Sequence, residues 1–207
     1  MDYKNFFLRS FFSFLFLSLY ITICFVNFNL VFYLILFLYV LIFFEIYFYF
    51  KKYNIIPLLY IFISLTVFYI NSFNNNSFID FNLFVFIVVT FDTFSYIFGK
   101  SIGRNRLIKI SPNKTIEGFL GGLLTSLILS LTVFHFLKFT INIELVLYVL
   151  SITLFAFIGD IIESFFKRKN NLKNSSELIP GHGGIFDRFD SFLFSIICYS
   201  ITHNILT

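Results

Sequence analysis

The chain has 207 residues, of which 58% are hydrophobic and only 13% are charged. A soluble domain carries about 25% charged residues, so this composition argues against a water-soluble enzyme and favours an integral membrane protein. The formal net charge of +4 is modest, and we expect no nucleic-acid partner. The two cysteines, Cys24 and Cys198, lie in apolar runs without the paired spacing of a metal site or a disulfide framework.

A helix that crosses the hydrocarbon core of a bilayer needs about 20 mainly apolar residues. By that measure the sequence predicts an all-α, polytopic transmembrane helix bundle of about seven spans, at residues 10–26, 29–50, 55–71, 78–98, 116–137, 141–162 and 188–206. The first span lacks a small-residue cleavage site, and we interpret it as a helix rather than a signal peptide. Residues 1–75 are expected to form N-terminal transmembrane helices, and residues 76–207 a C-terminal catalytic membrane domain.

Positive residues are concentrated in the loops on one side of this arrangement. Cytoplasmic loops collect Lys and Arg. Seven spans place 14 of the 15 Lys and Arg residues on the side of the N-terminus, and only Lys138 on the other side. The sequence therefore predicts a cytoplasmic N-terminus. For Lys51 and Lys52, no role is needed beyond fixing orientation and touching anionic headgroups.

Two segments on that side, residues 92–122 and 159–190, combine cations with carboxylates, Gly and Pro. Seven of the 11 acidic residues lie in or beside them, namely Asp92, Glu117, Asp160, Glu163, Glu177, Asp187 and Asp190. Carboxylates at the ends of apolar helices are costly to bury and usually mark a site. Beside cations they favour a divalent metal and a phosphate-bearing substrate. An internal ion pair explains either segment alone equally well, but two such segments on one face favour a site.

The spacing within the second segment adds detail. A polar stripe with the helical spacing i, i+3, i+4 and i+7 consists of Asp160, Glu163, Ser164 and Lys167. Asp187 and Asp190 are i, i+3 neighbours at the predicted start of the last helix, where the helix dipole favours carboxylates. Between these groups, the glycines of residues 180–184 permit unusual backbone angles and the close approach of a ligand.

Two motifs in these segments are specific enough to indicate a family. The longer one is Pro180-Gly181-His182-Gly183-Gly184-Ile185-Phe186-Asp187-Arg188-Phe189-Asp190, preceded by Ser164-Phe165-Phe166-Lys167-Arg168 and by Lys173. The upstream one includes Asp92 and Ser111-Pro112-Asn113-Lys114-Thr115-Ile116-Glu117-Gly118. Together they resemble the signatures of the phosphatidate cytidylyltransferase (CDP-diacylglycerol synthase) family. The resemblance covers roughly residues 85–200, while the earlier part matches only in being apolar helices.

The resemblance implies transfer of CMP from CTP to phosphatidate, which gives CDP-diacylglycerol and pyrophosphate, with Mg²⁺ as cofactor. It also implies a homodimer in the cell (inner) membrane with its active site facing the cytoplasm. The implied metal ligands are Asp160, Asp187 and Asp190. The implied catalytic residues are Lys167, Arg168, Lys173, His182 and Arg188. The implied substrate-binding residues are Asp92, Lys100, Arg104, Ser111, Lys114, Thr115, Glu117 and Ser164.

The chain departs from the family pattern at Asn174, where the family has Asp directly after the Lys at position 173. Asn keeps the shape and an acceptor oxygen but loses the negative charge. If that Asp is a metal ligand, Mg²⁺ is expected to bind weakly unless Glu177 substitutes for it. If the Asp only braces the loop, Asn174 serves equally well. The chain is also expected to lack one or more N-terminal helices of the family.

Other interpretations stay open at this point. A related enzyme would keep CTP but change the lipid, as in an isoprenoid alcohol kinase or an archaeal-type lipid cytidylyltransferase, and the Pro-Gly-His-Gly-Gly run disfavours it. A transporter would distribute polar residues through the membrane depth, whereas here they gather at one face. A non-catalytic relative is consistent with Asn174. Four isolated polar residues match no motif and are interpreted as structural, namely Glu45, Asp80, His135 and Glu144.

Overall fold

The computed structural model describes the backbone of residues 3–72, 78–108, 111, 114–179 and 183–202, and side chains from residue 15 onward, residues 71 and 72 excepted. Within these ranges the chain forms seven α-helices and no strand, with two isolated bridges at Arg106–Thr115 and Ile179–Gly183. The prediction of an all-α protein is therefore confirmed.

The helices follow the predicted apolar runs, and five of the seven extend further at one end. They are α1 (Tyr3–Val26), α2 (Asn29–Tyr49), α3 (Ile55–Ser72), α4 (Phe78–Ser101), α5 (Ile116–Phe136), α6 (Ile143–Lys169) and α7 (Phe186–Thr202). The largest differences are of seven residues: α1 begins at Tyr3 rather than at residue 10, and α6 ends at Lys169 rather than at residue 162. The apolar run marks only the part that suits a bilayer, and three basic residues in the last turn of α6 favour continuation because they complement the helix dipole.

In the part of the chain that the structure describes, four helices are long and apolar enough to cross a membrane, namely α2, α4, α5 and α6. Two further apolar stretches, Leu15–Val26 and Ile55–Ile70, are shorter. These helices make the chain a membrane protein, because a run of this length and composition has no counterpart in an ordinary soluble surface helix. The number of seven spans and the orientation of the N-terminus stay predictions.

The chain divides into two compact units, which are described separately. Unit 1 comprises Met1–Leu65 and Phe166–Phe189, and unit 2 comprises Thr66–Phe165 and Asp190–Thr207. In unit 1 the hydroxyl groups of Tyr39 and Ser64 are hydrogen-bonded at 2.6 Å in the buried core. The fully buried ring of Phe50 lies edge-on to that of Phe186, with centroids 6.1 Å apart. The start of α7 is thereby fixed against the end of α2.

In unit 2, small residues allow α4 and α5 to pack with their backbones close together. Four of them recur at every fourth position of α5 and are buried, namely Gly118, Gly122, Ser126 and Ser130. A Cβ atom on Gly122 would lie 2.8 Å from Cβ of Ser95 and 3.0 Å from the carbonyl oxygen of Phe91. Close backbone approach of this kind supplies the van der Waals contact on which helix association in membranes depends.

Replacement of Gly122 by Val is expected to destabilise the protein by about 1–3 kcal/mol, because the added methyl groups must displace α4. The measurement is the thermal unfolding midpoint of the detergent-solubilised protein. Leu124→Val is the control, since Leu124 lies two residues away on the exposed face of α5, with 55% of its side chain exposed. Equal midpoints for both variants would contradict close packing at Gly122.

Candidate active site

A group of polar side chains in unit 2, here called the carboxylate cluster, consists of Asp92, Lys114, Asp160, Asp190 and Ser191. The ammonium group of Lys114 pairs with Oδ2 of Asp160. The hydroxyl group of Ser191 lies 2.6 Å from Oδ1 of Asp160 and 3.0 Å from Oδ1 of Asp92. The carboxyl group of Asp190 is close enough to that of Asp160 for the two groups to interact electrostatically. Residues from α4, α6, α7 and the segment before α5 therefore meet around Asp160.

A glycine permits the two central carboxyl groups to meet. Gly159 precedes Asp160 on α6, and a Cβ atom there would lie 2.5 Å from the carbonyl oxygen of Asp190 and 3.0 Å from Cβ of Phe194. Beside this contact the rings of Phe155 and Phe194 are stacked, with centroids 5.0 Å apart. The close approach of α6 and α7 at Gly159 thus brings Asp160 and Asp190 together.

The carboxylate cluster holds three Asp carboxyl groups but only one Lys. Neighbouring carboxylates repel one another unless a proton or a cation offsets their charge. Among the described residues no three His, Cys, Asp or Glu side chains already form a metal cage. Mg²⁺, however, commonly binds through one or two carboxylates and completes its coordination with water and substrate phosphates. Asp160 and Asp190 supply oxygen ligands that fit a site of this kind.

The segment before α5 holds Lys114 in place through its own hydrogen bonds. Thr115 caps α5, because its hydroxyl oxygen accepts a hydrogen bond of 3.1 Å from the N–H of Gly118. The carboxylate of Glu117 accepts hydrogen bonds from the N–H groups of Arg104 and Asn105, at 3.1 and 3.2 Å. Thr115 and Glu117 therefore shape the loop that carries Lys114. Their predicted contacts with substrate stay predictions.

The remaining predicted substrate-binding residues have fewer described contacts. Lys100 is exposed, and its ammonium group lies 5.7 Å from the ring centroid of Tyr96. The side chain of Arg104 is also exposed, whereas those of Ser111 and Ser164 are half-buried. The carbonyl oxygen of Ser111 accepts a hydrogen bond of 3.1 Å from the N–H of Lys114, which helps to fix that lysine.

A second group of polar residues lies in unit 1. Here called the loop cluster, it consists of Glu45, Lys167, Ser175, Gly184 and Asp187. Lys167 and Asp187 form an ion pair of 2.8 Å between Nζ and Oδ1. The N–H groups of Ser175 and Gly184 each donate to Oδ2 of Asp187 at 3.0 Å. Asp187, a predicted metal ligand, thus binds a predicted catalytic lysine and two loop amides.

Two glycines make room for the carboxylates of the loop cluster. Gly183 has a φ of +86°, and a Cβ atom there would lie 2.7 Å from Oδ2 of Asp187. A Cβ atom on Gly184 would lie 1.8 Å from Oε1 of Glu45 and 2.0 Å from Oγ of Ser175. Gly183 and Gly184 therefore leave space for the carboxylates of Asp187 and Glu45, which are part of the protein itself.

Three of the predicted catalytic cations are exposed, namely Arg168, Lys173 and Arg188. Arg168 donates from Nη1 to the carbonyl oxygen of Leu172 at 3.0 Å, which closes the turn after α6. His182, which is also a predicted catalytic residue, lies outside the described residues. Phosphate binding by these cations stays a prediction.

Glu45 and its partner Ser175 are the residues of the loop cluster that sequence reasoning missed. Glu45 was interpreted as structural, yet its carboxylate accepts hydrogen bonds from the N–H groups of Ile185 and Phe186, at 2.8 and 3.0 Å, and from the hydroxyl group of Ser175. The available signal was its isolation, because α2 contains no other Asp, Glu, Lys or Arg. That signal does not reveal the partner, which lies 130 residues further along the chain.

Comparison with known proteins gives a consistent set of matches. A family model described as the cytidylyltransferase family matches residues 2–206. Proteins named phosphatidate cytidylyltransferase from Staphylococcus aureus (strain COL) and Staphylococcus haemolyticus (strain JCSC1435) are each 50% identical to this chain over 115 residues. The protein of that name from Staphylococcus epidermidis is 49% identical over the same length. The match covers 54% of this chain but only 44% of the length of each relative.

Proposed function

Because the chain belongs to the cytidylyltransferase family, we propose that it transfers CMP from CTP to phosphatidate, giving CDP-diacylglycerol and pyrophosphate. Relatives that are 50% identical over half of this chain bear the name of that activity. The observation that carries the proposal is the carboxylate cluster, in which Lys114 pairs with Asp160 beside two further Asp carboxyl groups. In a reaction between two phosphates, a lysine can bind phosphate oxygens and carboxylates can bind a divalent metal ion.

The proposed reaction joins two anions, so charge and position govern its rate. A phosphate oxygen of phosphatidate attacks the α-phosphorus of CTP and forms a new P–O bond. The bond from that phosphorus to the oxygen bridging the β-phosphate breaks, and pyrophosphate leaves with the electron pair. The attacking phosphate is already ionised, and no general base is needed. Lys114 would offset the negative charge of the phosphates, and preorganised positions would supply much of the rate.

The proposed cofactor is Mg²⁺, held by Asp160 and Asp190. When bound, the ion neutralises phosphate charge and orients the phosphate groups. The hydroxyl group of Ser191 lies between the carboxyl groups of Asp92 and Asp160. Through this hydroxyl group, Asp92 would help to orient the carboxylate of Asp160. Asp187, the third predicted ligand, is bonded to Lys167 and to loop N–H groups, and it is kept as a candidate ligand.

The proposal includes seven spans in the cell membrane, a cytoplasmic N-terminus and a homodimer. The distribution of 14 of the 15 Lys and Arg residues on one side supports the orientation. A cytoplasmic site also has access to CTP, which is made there. The homodimer is supported by the family resemblance alone.

The test is an assay of purified protein with labelled CTP, Mg²⁺ and a panel of lipid acceptors. Phosphatidate is expected to give a labelled liponucleotide and pyrophosphate, whereas an isoprenoid alcohol and an archaeal-type ether lipid are expected to give no product. Preference for one of the other lipids would favour the related enzyme. Absence of product with every acceptor, from protein that is folded and stable in detergent, would contradict the proposal.

Asn174 provides a separate test of whether the natural chain is fully active. Its side chain is exposed, and its Cγ atom would lie 3.5 Å from a Cβ atom on Gly183, so it borders the loop cluster. We expect Asn174→Asp to change kcat/KM by less than about fivefold, because an exposed charge is strongly screened. Asn171→Asp is the control at a neighbouring exposed position. A rise of several hundred-fold for Asn174→Asp would mean that the natural chain is close to inactive.

A further inference from the structure

Glu45 is a buried carboxylate in a helix that is otherwise apolar. It lies four residues before the end of α2, a helix without any other Asp, Glu, Lys or Arg, and only 1% of its surface is exposed. Burying an ionised carboxylate is costly unless hydrogen bonds compensate for the lost water. The hydrogen-bond donors to Glu45 therefore indicate the role of this buried carboxylate.

The carboxylate of Glu45 receives hydrogen bonds from both ends of one loop. Oε2 accepts from the N–H groups of Ile185 and Phe186, and Oε1 accepts from the hydroxyl group of Ser175. Because α7 begins at Phe186, the two N–H groups are among those that have no partner within the helix. A carboxylate at this end of a helix is also favoured by the helix dipole.

The same loop ends also bind Asp187, from a different side. Ser175 donates its N–H to Asp187 and its hydroxyl hydrogen to Glu45. Gly184 donates its N–H to Asp187, while the next two N–H groups go to Glu45. The absence of a side chain on Gly184 is required for this, since a Cβ atom would lie 1.8 Å from Oε1 of Glu45. Displacement of Glu45 would therefore move the groups that orient Asp187 and, through it, Lys167.

We infer that Glu45 is a positioning residue for the transfer reaction, acting through Ser175 and the first turn of α7 on the Lys167–Asp187 ion pair. The inference rests on the proposed function and on the roles predicted from the resemblance, Lys167 as a catalytic residue and Asp187 as a metal ligand. We assign Glu45 no contact with substrate, because its carboxylate is buried and bonded to the protein's own N–H groups. It supplies from α2 the oxygens that accept hydrogen bonds from Ser175, Ile185 and Phe186.

The experiment compares Glu45→Ala and Glu45→Gln with Glu144→Ala and Glu144→Gln. Glu144 is exposed in the first turn of α6 and controls for the loss of a carboxylate at a helix. Glu45→Ala is expected to lower kcat by about 30-fold or more, since a displacement of about 1 Å costs up to about 100-fold. Glu45→Gln keeps one oxygen for the two backbone N–H groups and is expected to lose only about 3- to 10-fold. The KM for CTP should stay within about threefold, because binding is not what Glu45 supplies.

A double-mutant cycle with Ser175→Ala distinguishes positioning from a general loss of stability. Ser175→Ala removes the hydroxyl donor to Glu45 but keeps the N–H that binds Asp187. The losses from Glu45→Ala and Ser175→Ala are expected to be non-additive, because both remove the hydrogen bond between Ser175 and Glu45. Additive losses, or a matching rise in KM for CTP, would overturn the inference.

Amide hydrogen exchange supplies a readout that does not depend on activity. In Glu45→Ala, exchange at Ile185 and Phe186 is expected to speed up by at least about tenfold, while exchange in Ile116–Phe136 stays unchanged. Unchanged exchange at both amides would contradict the inference even if the enzyme assay fails. An inactive natural chain with faster exchange in the variant would instead contradict only the proposed function.

Discussion

Replacement of Asp160 by Asn is expected to lower kcat/KM for CTP by about 100- to 1,000-fold, the largest effect of any single change in the carboxylate cluster. Asp160 pairs with Lys114, accepts a hydrogen bond of 2.6 Å from Ser191 and interacts electrostatically with Asp190. Asn keeps the size and one acceptor oxygen but removes the negative charge. The variant thus loses the partner of Lys114 and a proposed ligand of Mg²⁺ together, while the packing of α6 is preserved.

The measurement is initial-rate kinetics over a series of CTP and Mg²⁺ concentrations. Asp80→Asn is the control, because Asp80 is a buried acid of unit 2 in the first turn of α4, outside the carboxylate cluster. We expect the control to retain activity within about threefold, as do most changes away from a site. If Asp160→Asn kept more than a third of the natural activity, the carboxylate cluster would not be the site of the reaction.

The helices could be predicted from the sequence because their cause is local. A run of about 20 apolar residues is readable without knowledge of neighbours, and the structure places a helix at each predicted run. The ends were predicted less well, since α6 continues through a polar stripe to Lys169. The close packing of α4 and α5 was not predicted, although small residues do recur at every fourth position of α5 beginning at Gly118.

The motif resemblance indicated the charged residues of the carboxylate cluster. It did not indicate which of these residues contact one another. Asp160 and Lys114 lie 46 residues apart, and spacing alone does not decide which of several lysines meets which acid. Contacts of Glu45 are still harder to predict from the sequence, because its partners Ser175 and Ile185 lie 130 and 140 residues away. Helical periodicity relates residues within about two turns of one another. Contacts between helices depend on packing that one sequence does not display.

Replacement of Lys114 by Met is expected to lower kcat/KM for CTP by about 100-fold, because the cluster loses its one described cation while its carboxyl groups stay. Met is close in length and preserves the contact with Phe157, whose ring centroid lies 5.3 Å from the ammonium group. Lys114→Arg restores the charge and is expected to recover part of the loss. Lys138→Met is the control, since Lys138 is exposed and lies just after α5, outside both clusters.

A comparison with the double variant decides how Lys114 acts. If Lys114 only neutralised Asp160, its removal would cost nothing further once Asp160 is replaced by Asn, because the shared contact would already be lost. We expect the double variant to be slower than Asp160→Asn alone by at least about tenfold, since Lys114 would also bind the phosphates of CTP. Equal rates for these two variants would restrict Lys114 to balancing the charge of Asp160, and the cation for the phosphates would then have to come from another residue.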